Sequence, residues 1–237
     1  MNVFEELFSV LAGGRVLDAA TGEGGFIRVL HKHLNNYTEI VGIDCSGRMI
    51  NTAQRKNKNQ KVHFVQMNAG QIGFKEASFD KVSIAVSLHH LENVPQVLGE
   101  MKRVLQPDGM FIIREMHRDG MTEAQFNAIR IHHWAAEVDA ALGTLHDRTF
   151  ARAEILDYID GLNLNDVITR DIQHIDADPK EDEVVRSVGG YIEKYVQRAG
   201  RASSGEMLIQ RGEELRRSLH EKGVQREPVL VVIGQKP

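Results

Sequence analysis

A run of small residues near the start of the chain, Val16-Leu17-Asp18-Ala19-Ala20-Thr21-Gly22-Glu23-Gly24-Gly25-Phe26, is flanked and punctuated by two carboxylates. Small residues let a backbone approach a ligand closely, and a helix starting just after them adds free N–H groups. Ala20, Gly22 and Gly25 satisfy a relaxed A-x-G-x-x-G pattern, the dinucleotide fingerprint with alanine first. Asp18 and Glu23 argue against a pyrophosphate there, because like charges a few ångströms apart repel. A ligand carrying an ammonium and a sulfonium would be favoured by the same carboxylates. Asp44 follows Gly24 by 20 positions, where a carboxylate can accept both hydroxyls of a ribose. The plainer reading of Asp44 is an N-cap for a helix beginning near Ser46, and of the glycines a tight turn that holds nothing.

Histidines form the second group of candidates. His89 and His90 follow Ser87 directly, and imidazoles there titrate near neutral pH, as a general base requires. A packing or capping role at a strand–helix junction is an equal reading. Glu115 and His117 stand after the next apolar run and read either as part of the same mouth or as solvated loop residues. His132-His133-Trp134, with Asp139 and His146 nearby, invites a metal hypothesis, since His132 and Asp139 lie two helical turns apart on one face. No H-E-x-x-H pattern is present, and adjacent histidines on a helix point about 100° apart. A polar substrate wall, or a plain surface patch of histidines, is therefore expected rather than metal ligation, and Trp134 is expected in the core.

The elements that must position these groups are legible as short apolar runs. Arg15–Asp18, Ile40–Asp44, Val62–Gln66, Lys81–Val86 and Met110–Arg114 are nearly continuous in apolar residues, which suits strands covered on both faces. Between the fourth and fifth, Val94, Val97, Leu98, Met101, Val104 and Leu105 have helical spacing over Asn93–Leu105, with Pro95 in the first turn and Gln106-Pro107-Asp108-Gly109 as a stop. Helices are also expected over Met121–Leu142 and Ala151–Asp160, and a strand over Leu164–Ile175. A charged helical region is expected over Asp178–Gly223, interrupted at Gly189-Gly190 and at Gly200–Gly205, and a last strand over Pro228–Gly234. The alternation predicts an α/β fold, a doubly wound, mostly parallel seven-stranded sheet of Rossmann-like type. The whole of 1–237 is expected to be one domain: a ligand-binding core over 14–116, a helical cover over 117–225, and a final edge-pairing strand over 226–237.

Composition narrows the classes. The 237 residues carry a formal net charge of −4, with 42% hydrophobic and 26% charged residues. That balance excludes collagen-like and wholly disordered chains and leaves no general basic footprint for nucleic acid. A single cysteine, Cys45, excludes an intrachain disulfide and a Cys-rich zinc module. No run approaches membrane-spanning length and the first residues lack a basic leader, so the expected location is the cytoplasm.

Five blocks in order then give a resemblance. Asp18-x-Ala20-x-Gly22-x-Gly24, the VGIDCS run at 41–46, VQMNAGQIGF at 65–74, SFDKVSIAVSLHHL at 78–91 and EMKRVLQPDGMFIIRE at 100–115 resemble the class I S-adenosylmethionine-dependent methyltransferases. The likeness is to their small-molecule branch, which includes the quinone-biosynthesis enzymes. It implies that Asp18, Ala20, Gly22 and Gly24 surround the methionine part of the cofactor, with Ser87 facing the same portion. Asp44 would hold the ribose, Cys45 and Met49 would border the adenine, and Asn68 and Ala69 would meet its edge. Ala20 replaces the family's first glycine, and Asn68 stands where many relatives carry aspartate. The resemblance implies methyl transfer to a small molecule by direct displacement, leaving S-adenosylhomocysteine. If a base is used, the position of His89 and His90 after the fourth strand makes them the catalytic candidates, and the histidine spacing predicts no metal.

Three rivals remain at this point. One is methylation of tRNA or protein, against which stand the net acidity and the SLHHL run where base- and amide-methylating relatives carry N-P-P-Y. The others are a nicotinamide-dependent oxidoreductase and a non-catalytic cofactor-binding protein. No nucleic-acid partner and no membrane span are expected. For Glu206–Lys222 a homodimer contact is the sharper reading and a solvated amphipathic helix the plainer one.

Overall fold

The computed structural model describes residues 8, 11, 13–175 and 177–237. Five parallel strands form the body of one sheet: β1 (Gly14–Ala19), β2 (Tyr37–Asp44), β3 (Val62–Gln66), β4 (Phe79–Ala85) and β5 (Leu105–Met116). Two further strands, β6 (Asn165–Ile172) and β7 (Val229–Gln235), complete a seven-stranded sheet in the order β3-β2-β1-β4-β5-β7-β6. β7 runs antiparallel to both β5 and β6, so it is inserted between them and the outer edge is β6. The strand order reverses between β1 and β4, and the crevice above their carboxyl ends is where such sheets take ligands.

The apolar runs are strands because both faces are covered. Along β1, Val16 packs on one side with Ile27, Leu30 and Ile40, while Leu17 packs on the other with Leu98 and Met101. Ile112 and Ile113 divide in the same way, as do Val231 and Val232. The helices α1 (Gly25–His33), α2 (Gly47–Lys56) and α3 (Val94–Val104) supply the two layers. Asn93 caps α3 by accepting from Gln96 N, and Pro95 occupies its first turn as expected. The Gln106–Gly109 stop does not interrupt the strand assignment; β5 absorbs it as a register shift, with Asp108 at a φ of 59°.

The second half departs from the expectation in three places. α5 (Arg152–Asp160) does not cover the strand ends, because its Ile155 and Ile159 join the core on the face of the sheet that holds α3. α6 (Asp182–Ala199) runs unbroken through Gly189-Gly190, since side chains on either side carry its packing. β6 ends at Ile172 and is mostly exposed, as an edge strand tolerates. The cover itself is α4 (Glu123–Ala141), α6 and α7 (Gly205–Lys222), which enclose an apolar cluster of their own around Ile131, Trp134, Val138, Ile192, Leu208 and Leu219. Trp134 is fully buried there, and its Nε1–H donates to Leu208 O at 2.8 Å. No helix among the described residues is long and apolar enough to cross a membrane.

Two glycines in this cover predict opposite outcomes for one substitution. A Cβ on Gly212 would lie 2.5 Å from Trp134 Cζ2 and 2.7 Å from Val196 Cγ2, whereas one on Gly190 would meet nothing within 4 Å. Gly212→Ala is expected to lose about 1–3 kcal/mol through overpacking despite alanine's better helix propensity. Gly190→Ala is expected to gain about 0.5–1 kcal/mol. Chemical denaturation of both variants checks the two signs.

Candidate active site

Asp18 sits one residue before the end of β1, in register with Ser83 on β4, so it occupies the point where the strand order reverses. It is 1% exposed, and its two oxygens accept from Ser83 Oγ at 2.7 Å and Thr21 Oγ1 at 2.6 Å. Burial raises its pKa to about 6, against the lowering effect of those two hydroxyls, with the Asp44 charge raising it further. Asp18 therefore braces the turn from beneath.

The turn itself leaves β1 through Ala20, a non-glycine residue at a φ of 49°, and passes Gly22 and Gly24 at 55° and 77°. Thr21 N donates to Ile43 O, tying the turn to β2, and Gly24 is the N-cap of α1 with no side-chain partner. A Cβ on Gly22 would meet nothing within 4 Å, so open space lies before the turn. Glu23 does not share that space. It is exposed and ion-paired with Lys56, a contact that lowers its pKa, so the carboxylates beside the turn are those of Asp18 and Asp44.

Asp44, half-buried at the end of β2, accepts from Gly22 N at 2.9 Å and Ser46 N at 2.8 Å. Ser46, rather than Asp44, caps α2, with its hydroxyl accepting from Met49 N. A carboxylate oxygen has lone pairs beyond those two contacts, so Asp44 retains acceptor capacity toward a ligand. Cys45 is exposed and Met49 half-buried at the start of α2. Asn68 and Ala69 follow β3 in a tight turn closed by Gly70 N donating to Asn68 Oδ1 at 2.8 Å. Residues 44–49 and 68–70 thus stand at the carboxyl ends of the adjacent strands β2 and β3, while Ser87 belongs to the β4 side of the crevice.

Glu115 organises that side. It is fully buried at the end of β5 and accepts from Ser87 N at 2.9 Å, Leu88 N at 2.8 Å and His89 Nδ1 at 3.1 Å. His117 is also buried, so neither residue is the solvated loop group that their positions allow. Ser87 Oγ in turn donates to Ala20 O at 3.2 Å, joining the histidine side to the glycine-rich turn. His89 has a buried Nε2 without a partner, whereas His90 is exposed and packs its ring on His89 and His146.

The histidines of the second half are not a surface patch. His146 is 8% exposed, and its Nδ1 lies 2.9 Å from Asp139, which also accepts from Tyr195 OH at 3.0 Å and pairs with Arg198. His132 Nε2 lies 3.2 Å from His146 Nε2, and burial with four neighbouring imidazoles pushes the His132 pKa down to about 2. His133 turns away, bonding Thr149 through Nε2. The sequence offers one signal for this cluster, the shared face of His132 and Asp139; that His89 meets them is a product of tertiary packing.

Residues 17–113 match the family profile described as a methyltransferase domain. The chain is 31% identical to the demethylmenaquinone methyltransferase of Staphylococcus haemolyticus across 113 residues, 47% of each chain. It is 32% identical to the ubiquinone/menaquinone biosynthesis C-methyltransferase UbiE of Hahella chejuensis over 113 residues, 46% of this chain and 45% of that one. The match spans just under half the length of these relatives. In fold, the YcgJ protein of Bacillus subtilis aligns over 99% of this chain and 96% of its own with a TM-score of 0.61 at 18% identity. Residues 17–113 thus resemble a methyltransferase domain, and the whole chain shares the fold of the solved neighbours. The profile match ends before the cover, so residues 17–113 carry the turn and crevice while the histidine cluster lies partly outside the matched segment. A further fold neighbour is a phosphoethanolamine N-methyltransferase of Haemonchus contortus in complex with S-adenosylhomocysteine, at a TM-score of 0.57, 17% identity, 95% of this chain and 49% of that one.

Asp18 makes the pH dependence of the ligand-free protein testable. Its folded pKa of about 6 exceeds the ordinary 3.8, so between those values the folded state binds more protons than the unfolded one. Its contribution is therefore lost as pH rises through 4 to 6, by on the order of 2–3 kcal/mol. The Tm of wild type relative to Asp18→Asn should fall by several degrees from pH 4 to pH 7; a constant difference would refute the assignment. Ala20→Gly should stabilise by up to about 1 kcal/mol, since relief of the left-handed alanine exceeds the entropy that glycine returns to the unfolded chain.

Proposed function

We propose that the protein transfers a methyl group from S-adenosylmethionine to a small molecule held between the crevice and the cover. The observation that carries this reading is Asp44, whose carboxylate faces the same crevice as the open turn and is held to it through Gly22 N. On this reading Asp18 and Ala20 shape the turn, Gly22 and Gly24 admit the methionine end, and Ser87 borders it from β4. Asp44 accepts the ribose hydroxyls, and Cys45, Met49, Asn68 and Ala69 enclose the adenine.

When bound, the cofactor supplies an activated methyl and a good leaving group. Alignment of acceptor and methyl can supply up to roughly 7–11 kcal/mol, against about 3–5 kcal/mol for a general base. Positioning is thus the larger contribution. On this reading His89 and His90 border the approach of the acceptor. With Glu115 accepting at Nδ1, the His89 lone pair is at Nε2.

A small-molecule acceptor is supported by a cavity of about 600 Å³ lined by Ile131, His132, Val188, Tyr191, Arg226 and Glu227, between α4, α6 and the segment before β7. That volume is in the range of small-molecule sites. Glu227 is pushed above its ordinary pKa there by burial. A quinone-like ring suits the mostly apolar wall, in keeping with the names of the curated relatives.

Calorimetric titration with S-adenosylhomocysteine, NAD and NADP tests the cofactor assignment. Saturable binding of S-adenosylhomocysteine alone is expected, weakened at least tenfold in Asp44→Ala, about the contribution of one charge-assisted hydrogen-bond pair. Preference for NAD would overturn the reading. Cofactor binding without methylation of small phenols or quinols would favour a macromolecular substrate or a non-catalytic binder.

A further inference from the structure

We propose that His89, His132 and His146 form a binding site for a divalent transition cation of the zinc class, supported by Glu115 and Asp139. One ring nitrogen from each histidine lies within 4.8 Å of the other two. A tetrahedral zinc with bonds of about 2.0–2.1 Å needs its nitrogens about 3.3 Å apart. The His132–His146 pair already stands at 3.2 Å between Nε2 atoms. Closing the third distance takes a small ring movement of His89.

The groups behind the ligands carry the argument further than proximity does. Metal-binding histidines characteristically give their second N–H to a carboxylate, which fixes the tautomer and aims the other nitrogen at the ion. Two of the three histidines have that arrangement. His89 Nδ1 meets Glu115 Oε1 at 3.1 Å, and His146 Nδ1 meets Asp139 Oδ2 at 2.9 Å. Both carboxylates are themselves held, Glu115 by the N–H groups of Ser87 and Leu88, and Asp139 by Tyr195 and Arg198.

A direct hydrogen bond between His132 and His146 would account for two of the nitrogens. It leaves His89 Nε2 buried with no partner, on a side chain of 0% exposure. Buried polar atoms are rarely left so, and a cation satisfies all three nitrogens together. Three neutral imidazoles and no oxygen ligand select zinc, cobalt or nickel over magnesium or calcium. Three protein ligands leave a fourth position, and His132 lines the 600 Å³ cavity. The group taken there would be an oxygen or sulfur acceptor that binds as an anion, or water in its absence.

The binding of the ion is independent of the cofactor assignment, and the tests are separable. Wild-type protein prepared without a polyhistidine tag, stripped with chelator and dialysed, is titrated with zinc alone by calorimetry and with cobalt by visible absorption. One equivalent of zinc and a tetrahedral cobalt spectrum are expected. His146→Ala and His89→Ala should weaken binding at least a hundredfold, and Asp139→Asn tenfold to a hundredfold. His133→Ala, whose imidazole faces Thr149, should bind as wild type does. Circular dichroism establishes that each variant is folded, and His132→Gln serves if an alanine variant is not. Absence of saturable binding to folded wild type overturns the site, as does binding unchanged in His146→Ala. S-Adenosylhomocysteine binding without zinc binding removes only the metal site, and the converse removes only the cofactor reading.

Discussion

A fully buried carboxylate at the carboxyl end of β5 holds the two sides of the crevice in one frame. Glu115 accepts from three backbone N–H groups, those of Ser87, Leu88 and Met116, and from the imidazole of His89. Burying a charge is costly unless such donors replace the water it loses, so every group that converges on Glu115 is constrained by the need to stay. The segment after β4 therefore cannot relax without orphaning a charge in the core. Because Ser87 also reaches Ala20 O, the constraint passes from β5 through β4 to the glycine-rich turn on β1. Asp18 completes the frame from below by accepting from Ser83 on β4.

The part of this frame that was legible in the sequence is the part encoded locally. The strands on either side of the crevice announce themselves as continuous apolar runs, since each is buried on both faces. Asp18, Ala20, Gly22 and Gly24 read as a close-approach turn because small residues at a strand–helix junction have few other uses. Glu23 misled, because a carboxylate inside a turn gives no hint of which way it points, and Lys56, a helix away in sequence, drew it outward. Glu115 was ambiguous for a related reason: a carboxylate at a strand end looks the same whether water or backbone N–H groups surround it. The Gly189-Gly190 pair predicts an interruption on propensity alone, and tertiary packing of Ile192 and Tyr195 overrides it.

The histidine cluster was illegible for a different reason. His89 is delivered by the end of β4, His132 by the middle of α4 and His146 by the loop that follows, so no spacing rule connects them. What joins them is the docking of the cover on the core, where Asp147 N donates to His89 O at 2.9 Å. Asp139, satisfied from α6 by Tyr195 and Arg198, anchors His146 from the other side. The cluster thus sits where the core meets a cover that lies outside the segment matched by the family profile. A cover joined to the core in this way can diverge while the turn and Asp44 stay intact, since functional sites are grafted on folds.

Two of the strained backbones lie at the same place. Ala20 and Val86 both have left-handed backbones, with φ of 49° and 50°, and they flank the hydrogen bond from Ser87 to Ala20. A β-branched residue in that region is a genuine outlier, and such conformations persist only where surrounding structure over-determines them. Here the over-determination has an identifiable source. Val86 N is held by Arg114 O, one residue before Glu115, and the next two N–H groups along the chain are held by Glu115 itself. Three successive donors are thereby fixed to one stretch of β5, leaving Val86 no extended alternative. The turn that presents Ser87 and His89 is held in place by the carboxylate beneath it, against the preference of its own backbone.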